Sequence, residues 1–381
     1  MKTANNVLVI ILLIASGCVG NRIMYSDEVL VNVTARFPQK ELILQDFMDV
    51  EYIVLETNRE FLNQGNVRAI GRDFIIVTNR VNDGYIFIYD RNGKALRKIN
   101  RLGHGGEEYI SILGIVLDED NNEIFVNDVF ASRVLVYDLY GNFKRSFLHR
   151  EGTMVTKMFN FDRNNLICYD DSWEKSGNTF FIISKHDGSV IKEIEIPFGQ
   201  VVLTRIQHSD DFMTGPRWSP IVAYRGNWVL VEPSSNTMFK YFPDHSMVPL
   251  IVRTPSIQSM NPEVFLFPDI LTDRYYFMRS VKKEFNPETR RGFPATNLVY
   301  DKQGMTIFEV TVLNGDYSGN RRPVIMFGDP INNEIALWQR LEADHLYEFY
   351  REGRLVGKLK EAASRLEEED NPVIMLVMHR R

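Results

Sequence analysis

A chain of 381 residues, 44% hydrophobic and 25% charged, is long enough to bury a sizeable core and suits one domain. Its formal net charge of −6 argues against a nucleic-acid binder, which would need a basic patch to meet phosphate. Two cysteines, Cys18 and Cys168, exclude a disulfide framework, so apolar burial has to hold the fold.

Residues 1–17 read as an export signal. Lys2 supplies the positive start, and Val7 to Ile14 (VLVIILLI) is too short an apolar run to span a bilayer as a stable helix. Ala15-Ser16-Gly17 then sets small residues directly before Cys18. That order resembles a bacterial lipobox, in which the cysteine is acylated and becomes the new N-terminus. An ordinary secretory signal with an incidental cysteine is the other reading. With two or more acyl chains, each buried CH₂ contributing ~0.8 kcal/mol, such an anchor is stable. Residues 18–40 are polar, lack clear periodicity, and are expected to be a tether leading to one domain over 41–381.

Glu51 to Leu55 is an isolated strand pattern near the start of that domain, and Val373 to Met378 (VIMLVM) is its counterpart at the end. Between them one unit recurs. Ile86 to Ile99 (IFIYDRNGKALRKI) is a strand of period two, a tight turn with Asn92-Gly93, and a returning strand. Val134 to Phe147 (VLVYDLYGNFKRSF) repeats it, with Gly141 placed 48 residues after Gly93. A third copy from Phe181 carries Gly188, and another from Asn297 carries Tyr300-Asp301 and Gly304. A degenerate copy from Met238 lacks the glycine. Each copy follows another short apolar strand, and four strands every ~40–50 residues is the period of a propeller blade.

Five blades are expected at about Asn66–Arg101, Ser111–Arg150, Met154–Ile196, Val201–Val252 and Val264–Val312. The sixth would use Pro323–Met326, Glu334–Trp338 and His345–Tyr350 with both chain ends, since pairing the termini removes an open sheet edge. Helical spacing is confined to Leu359–Leu366. The fold class is therefore all-β, a six-bladed β-propeller, with seven blades as the alternative.

The opening Tyr52-Ile53-Val54-Leu55-Glu56-Thr57, the Tyr-Asp turns at Asp90 and Asp138, the exit Gly103 to Tyr109 and the ending Asp370-Asn371-Pro372-Val373 together resemble the six-bladed β-propeller lipoproteins of Bacteroides-type bacteria, distantly similar to NHL-repeat propellers. In place of the family's usual exit, with a proline and then a glycine, this chain has Gly106-Glu107. The resemblance implies an outer-membrane lipoprotein of the cell envelope. Val19-Gly20-Asn21-Arg22 lacks the acidic residues that surface-exposed members carry after the cysteine, which favours the periplasmic side.

Few residues point to chemistry. Gly103 to Gly106 has no phosphate-loop lysine after it, and reads as an inter-blade turn. Asp118 to Glu123 lacks the glycine and distal glutamate of a calcium loop, and reads as a solvated hairpin turn. His104 and His149 follow successive blades at similar positions. No cofactor is expected, although propeller loops can converge on an axial calcium or zinc site. The insertion His208 to Pro220 interrupts the blade period and presents Arg217-Trp218 between two prolines. Such a pair either stacks on a sugar or anchors a peptide, or the indole simply covers a blade edge. His208, Arg217 and Trp218, with His104 and Tyr109 on the exit loop, are the candidate binding residues; no catalytic residue is assigned. The expected function is a binding module for an envelope protein, peptide or glycan. The alternative is a lyase or lactonase-like hydrolase with an axial metal.

Overall fold

Strand, turn, strand is the unit from which the chain is built, and the computed structural model shows it closing into a ring. The structure describes residues 28–172, 178–210, 212–328 and 334–380. Six large sheets form the propeller. Blade 1 runs outward from Asn66–Ile70 through Phe74–Thr78 and Tyr85–Asp90 to Ala95–Asn100. Blades 2 and 3 repeat that order from Gly114–Asp118 to Phe143–Leu148 and from Val155–Asn160 to Val190–Ile194. Blade 4 begins at Ile221–Tyr224 and blade 5 at Val264–Leu271.

The recurring turn is explained by two contacts. Asp90 accepts the backbone N–H groups of Asn92 and Lys94 at 2.8 and 2.9 Å, and Asp138 does the same for Tyr140 and Asn142. Gly93, Gly141 and Gly188 adopt φ of +89°, +84° and +74°. Each glycine is also pressed against the preceding blade. A Cβ would lie 2.2 Å from the Val54 carbonyl at Gly93, 2.9 Å from Ile99 at Gly141 and 2.3 Å from Phe147 at Gly188. The tyrosines of the motif are fully buried: Tyr89 donates to the Phe61 carbonyl, and Tyr137 to the Glu107 carbonyl at 2.6 Å. In the degenerate copy His245 takes the positive φ, at +67°.

Blade 6 closes the ring with both ends of the chain. Val373–His379 lies between Ile335–Leu341 and Met48–Val54, with Glu51 opposite Leu376. Asn371, fully buried, latches this junction. Its Oδ1 accepts the Asn63 N–H at 2.8 Å, and its amide donates to the carbonyls of Glu56 and Phe61.

Two expectations need correction. His345–Tyr350 is helical, inside Ala343–Arg351, because Ala343, Leu346 and Phe349 recur at helical spacing and are the buried residues. A second helix, Gly357–Ala363, overlaps the expected one, and Leu359, Ala362 and Ala363 pack with the closing blade. The last part of the stretch read as tether is not free chain. Val29–Asn32 and Gln39–Ile43 lie parallel to Met247–Thr254 and Thr306–Asn314 as fifth, outermost strands of blades 4 and 5. Val29 and Val31 are buried and alternate with exposed Leu30 and Asn32, so period two covers an otherwise open edge. The signal segment and Cys18 lie outside the described residues. Cys168 is fully buried in blade 3, where desolvation pushes its thiol pKa far up and makes it a small hydrophobe.

Candidate functional site

The inner strands of the blades surround a central channel, a cavity of about 1680 Å³. Because blades 1 to 5 are each meanders that start at the inner strand, successive connections alternate between the two ends of the ring. Links between blades, and those between second and third strands, share a linker end. Turns after the first and third strands share a turn end.

Ten basic and seven acidic side chains line the channel, and they are not evenly spread. Arg68, Arg80, Lys157, Arg205, Arg217, Arg279 and Arg340 belong to the linker end, with Asp171 and Glu342 as its acids. Arg72, Arg163 and Lys185 belong to the turn end, beside Asp118, Glu119, Asp120, Asp162 and Glu334. A chain of net charge −6 thus carries a cationic mouth at one end and a mildly acidic mouth at the other.

The turn end is tied together by its charges. Lys185 pairs with Asp118 at 2.7 Å, with 6% and 4% of the side chains exposed, and also donates to the carbonyls of Asp162 and Arg163. Glu119 accepts the N–H groups of Arg72, Asp73 and Phe74 from blade 1. Glu123 is gripped by Arg145 at 2.7 and 2.8 Å and by Lys144 at 2.6 Å; burial pushes its carboxyl pKa up, but these partners outweigh that and hold it low. The Asp118 to Glu123 run is the expected hairpin turn, with Asp120 and Asn122 exposed, but its other carboxylates are tied into the fold. It joins three neighbouring blades.

At the linker end the insertion folds as a small ladder, Ile206–Ser209 against Phe212–Thr214, and then delivers Arg217 and Trp218 to the channel. Arg279 holds this loop. It donates to the Arg217 carbonyl at 2.9 Å, lies 4.0 Å over the Phe327 ring and pairs with Asp269. Burial pushes the Asp269 carboxyl up to about 6, against the pull of Arg279. Trp218 is half-buried, stacked on Phe267 at 5.2 Å and edge-on to Tyr169 at 5.6 Å. It covers the blade edge and also lines the channel. The Arg217 guanidinium is exposed.

The other expected residues are not gathered there. His208 stands beside the channel, its ring on Phe212 and Phe285 and its Nε2 2.7 Å from Thr214 Oγ1. His104 is exposed on the exit loop and does not line the cavity. Tyr109 is fully buried; its hydroxyl donates to the Gly84 carbonyl at 2.7 Å and accepts the Arg101 N–H, and burial pushes its pKa up to about 12. It is a structural tie. His149 touches the wall only through Asn127, 2.9 Å away, and desolvation lowers its pKa. Among the described residues no group of three or more His, Cys, Asp or Glu side chains is placed to hold a metal ion.

Sequence reasoning missed Trp228 and Trp338, which also line the channel, so all three described tryptophans face it. It also missed Arg80, Arg163 and the wall residue Arg68, whose guanidinium donates to the carbonyls of Ile112 and Leu113 in the next blade. The available signal was a basic residue inside an otherwise apolar strand for Arg68 and a tryptophan inside a short apolar strand for Trp228 and Trp338; Arg80 and Arg163 lie in loops and gave none.

A family model described as a six-bladed β-propeller matches residues 23–333. A candidate exported protein from Bacteroides fragilis has a similar structure, at a TM-score of 0.58 and 16% identity, over 93% of this chain and 99% of that one. A protein of the duf4221 family from Bacteroides vulgatus aligns at a TM-score of 0.46 and 10% identity, over 88% and 97%. A virginiamycin B lyase from Staphylococcus aureus aligns at 0.39 and 10%, over 87% and 100%. Likeness at these identities shows the fold alone. A comparison with curated proteins returns no match. No helix among the described residues is long and apolar enough to cross a membrane.

Proposed function

The chain belongs to this six-bladed β-propeller family, and from that premise we propose that it is an exported binding module of the cell envelope whose ligand seat is the central channel. Acylation at Cys18 anchors it to the outer membrane, facing the periplasm, and the linker end receives a protein, peptide or glycan of the envelope. The observation that supports this most is the channel itself. Its volume exceeds the ~300–1000 Å³ of ordinary small-molecule pockets, and tryptophan and arginine, the residue types enriched at binding hot spots, concentrate in its wall. The axial-metal alternative draws no donor set from the described residues.

The test is photo-crosslinking in cells. A p-benzoylphenylalanine in place of Met213, which lines the cavity and is exposed, should yield an adduct. The same probe in place of Ile191, exposed on the outer strand of blade 3, should not. Adducts at position 191 with none at 213 would overturn the channel as the binding seat. Cys18→Ser should release the protein from the membrane fraction.

A further inference from the structure

Resting on the reading that the channel is the binding seat, we infer that its ligand is an acidic oligosaccharide, lying along the axis with carboxylate or sulfate groups at the linker end. Three independent features of the wall carry this. The first is charge. Seven basic side chains and two acidic ones line the linker end, whereas the turn end holds three basic and five acidic ones; with Arg205, Arg279 and Arg340 paired to Asp171, Asp269 and Glu342, the linker end keeps an excess of four positive charges. Arg80 and Arg217 are exposed there, and neither guanidinium has a carboxylate partner among the described residues. A mouth with this excess concentrates anions and orients them. Guanidinium forks fit carboxylate or sulfate oxygens bidentately.

The second feature is the staging of the indoles along the axis. Trp218 comes from an inter-blade link at the linker end. Trp338 is the middle residue of Ile335–Leu341. Trp228 is the second residue of Asn227–Leu230, next to the turn end. Flat, half-buried indoles at successive depths suit a chain of pyranose rings, whose C–H faces stack on them. A peptide would instead ask for discrete apolar pockets for alternate side chains.

The third feature is the hydrogen-bonding surface between the indoles. Asn66, Thr156, Asn160 and Gln339 line the channel and are half-buried or exposed, presenting the mixed donors and acceptors that a hydroxyl-rich ligand uses. The volume of the channel favours an oligomer over a single sugar.

The experiment titrates the purified full-length chain with galacturonate, hyaluronan-derived and heparin-derived hexasaccharides, following tryptophan fluorescence and calorimetry. The galacturonate methyl ester and a polyglutamate peptide serve as comparisons. At least one acidic hexasaccharide should bind, with an affinity that falls as salt rises, and the ester should bind at least about tenfold more weakly. Arg217→Ala and Arg80→Ala should each weaken binding by about tenfold, and Trp228→Leu should weaken the hexasaccharide more than the matching disaccharide. Ester binding as tight as acid binding overturns the requirement for charge. Polyglutamate binding in place of all three acidic sugars overturns the sugar. Failure of every acidic sugar, with the Met213 probe still capturing a ligand in cells, overturns this inference and leaves the channel reading standing. Failure of both removes the two together.

Discussion

At the scale of single residues, the repeat glycines do two jobs, and the structure separates them. Gly93 combines a positive φ with an approach of 2.2 Å between its absent Cβ and the Val54 carbonyl, whereas Gly152 has a positive φ and open space around it. Gly152→Ala should therefore cost only the left-handed backbone penalty, about 1–2 kcal/mol. Gly93→Ala adds a forced shift between two blades and should cost clearly more, about 3 kcal/mol or above, in chemical denaturation. A second residue-scale prediction concerns pH. His149 donates through Nε2 to Asn127, while Nδ1 is buried without a hydrogen-bond partner, an arrangement that suits the neutral ring. Burial lowers its pKa in the fold below the ordinary value near 6.5, despite Asp128 and Asp170 nearby. The unfolded chain then binds the proton more readily. The contribution of His149 is fully present above about pH 6.5 and is lost as the pH falls toward the lowered folded value. His379, also lowered by burial, acts in the same direction. His149→Gln should make the unfolding free energy less steep over pH 5–7 without abolishing the slope.

At the scale of elements, the blades are joined by a small number of charged contacts as well as by their apolar faces. Lys185 in blade 3 and Asp118 in blade 2 form a nearly buried pair at the turn end. Removing one partner strands the other in a poorly solvated place. Lys185→Met should thus lower stability by about 3–5 kcal/mol, and Lys185→Met with Asp118→Leu should recover most of that loss. Equal destabilisation by the single and double variants would show that the pair contributes through packing alone. The outer strands Val29–Asn32 and Gln39–Ile43 illustrate a different rule. They are short and half polar, yet they are ordered because blades 4 and 5 present edges that accept them in parallel register.

At the scale of the whole molecule, stability depends on closure. Blade 6 joins strands from the two ends of the chain, and Asn371 bonds to Asn63, Glu56 and Phe61 across the junction. Asn371→Ala leaves the buried Asn63 N–H without its acceptor and removes two donors from the junction, and should cost about 1–3 kcal/mol, lowering the melting temperature of the whole ring as one transition. A separate early transition of blade 6 alone would show that the other blades do not depend on closure for their stability. Closure also makes the channel, since an open ring would have no enclosed axis in which Arg217, Trp228 and Trp338 could face a common ligand.

The sequence by itself determined the propeller, the positions of five blades and the use of both termini in the sixth. Those features follow from local chemistry: period-two apolar strands, Asp and Gly at fixed turn offsets, and an isolated strand at each end. The helix at Ala343–Arg351 was misread because a short apolar run fits either period until its packing partner is known. The Asp118 to Glu123 run was legible as a hairpin turn, but its ties to Lys185 and Arg145 were not, because those partners belong to later stretches of the chain. Of the binding candidates, only Arg217 and Trp218 reach the channel, and both sit on a loop that visibly broke the repeat. The rest of the wall was decided by tertiary structure alone. It takes side chains from all six blades, and which of them meet there depends on the closing of the ring.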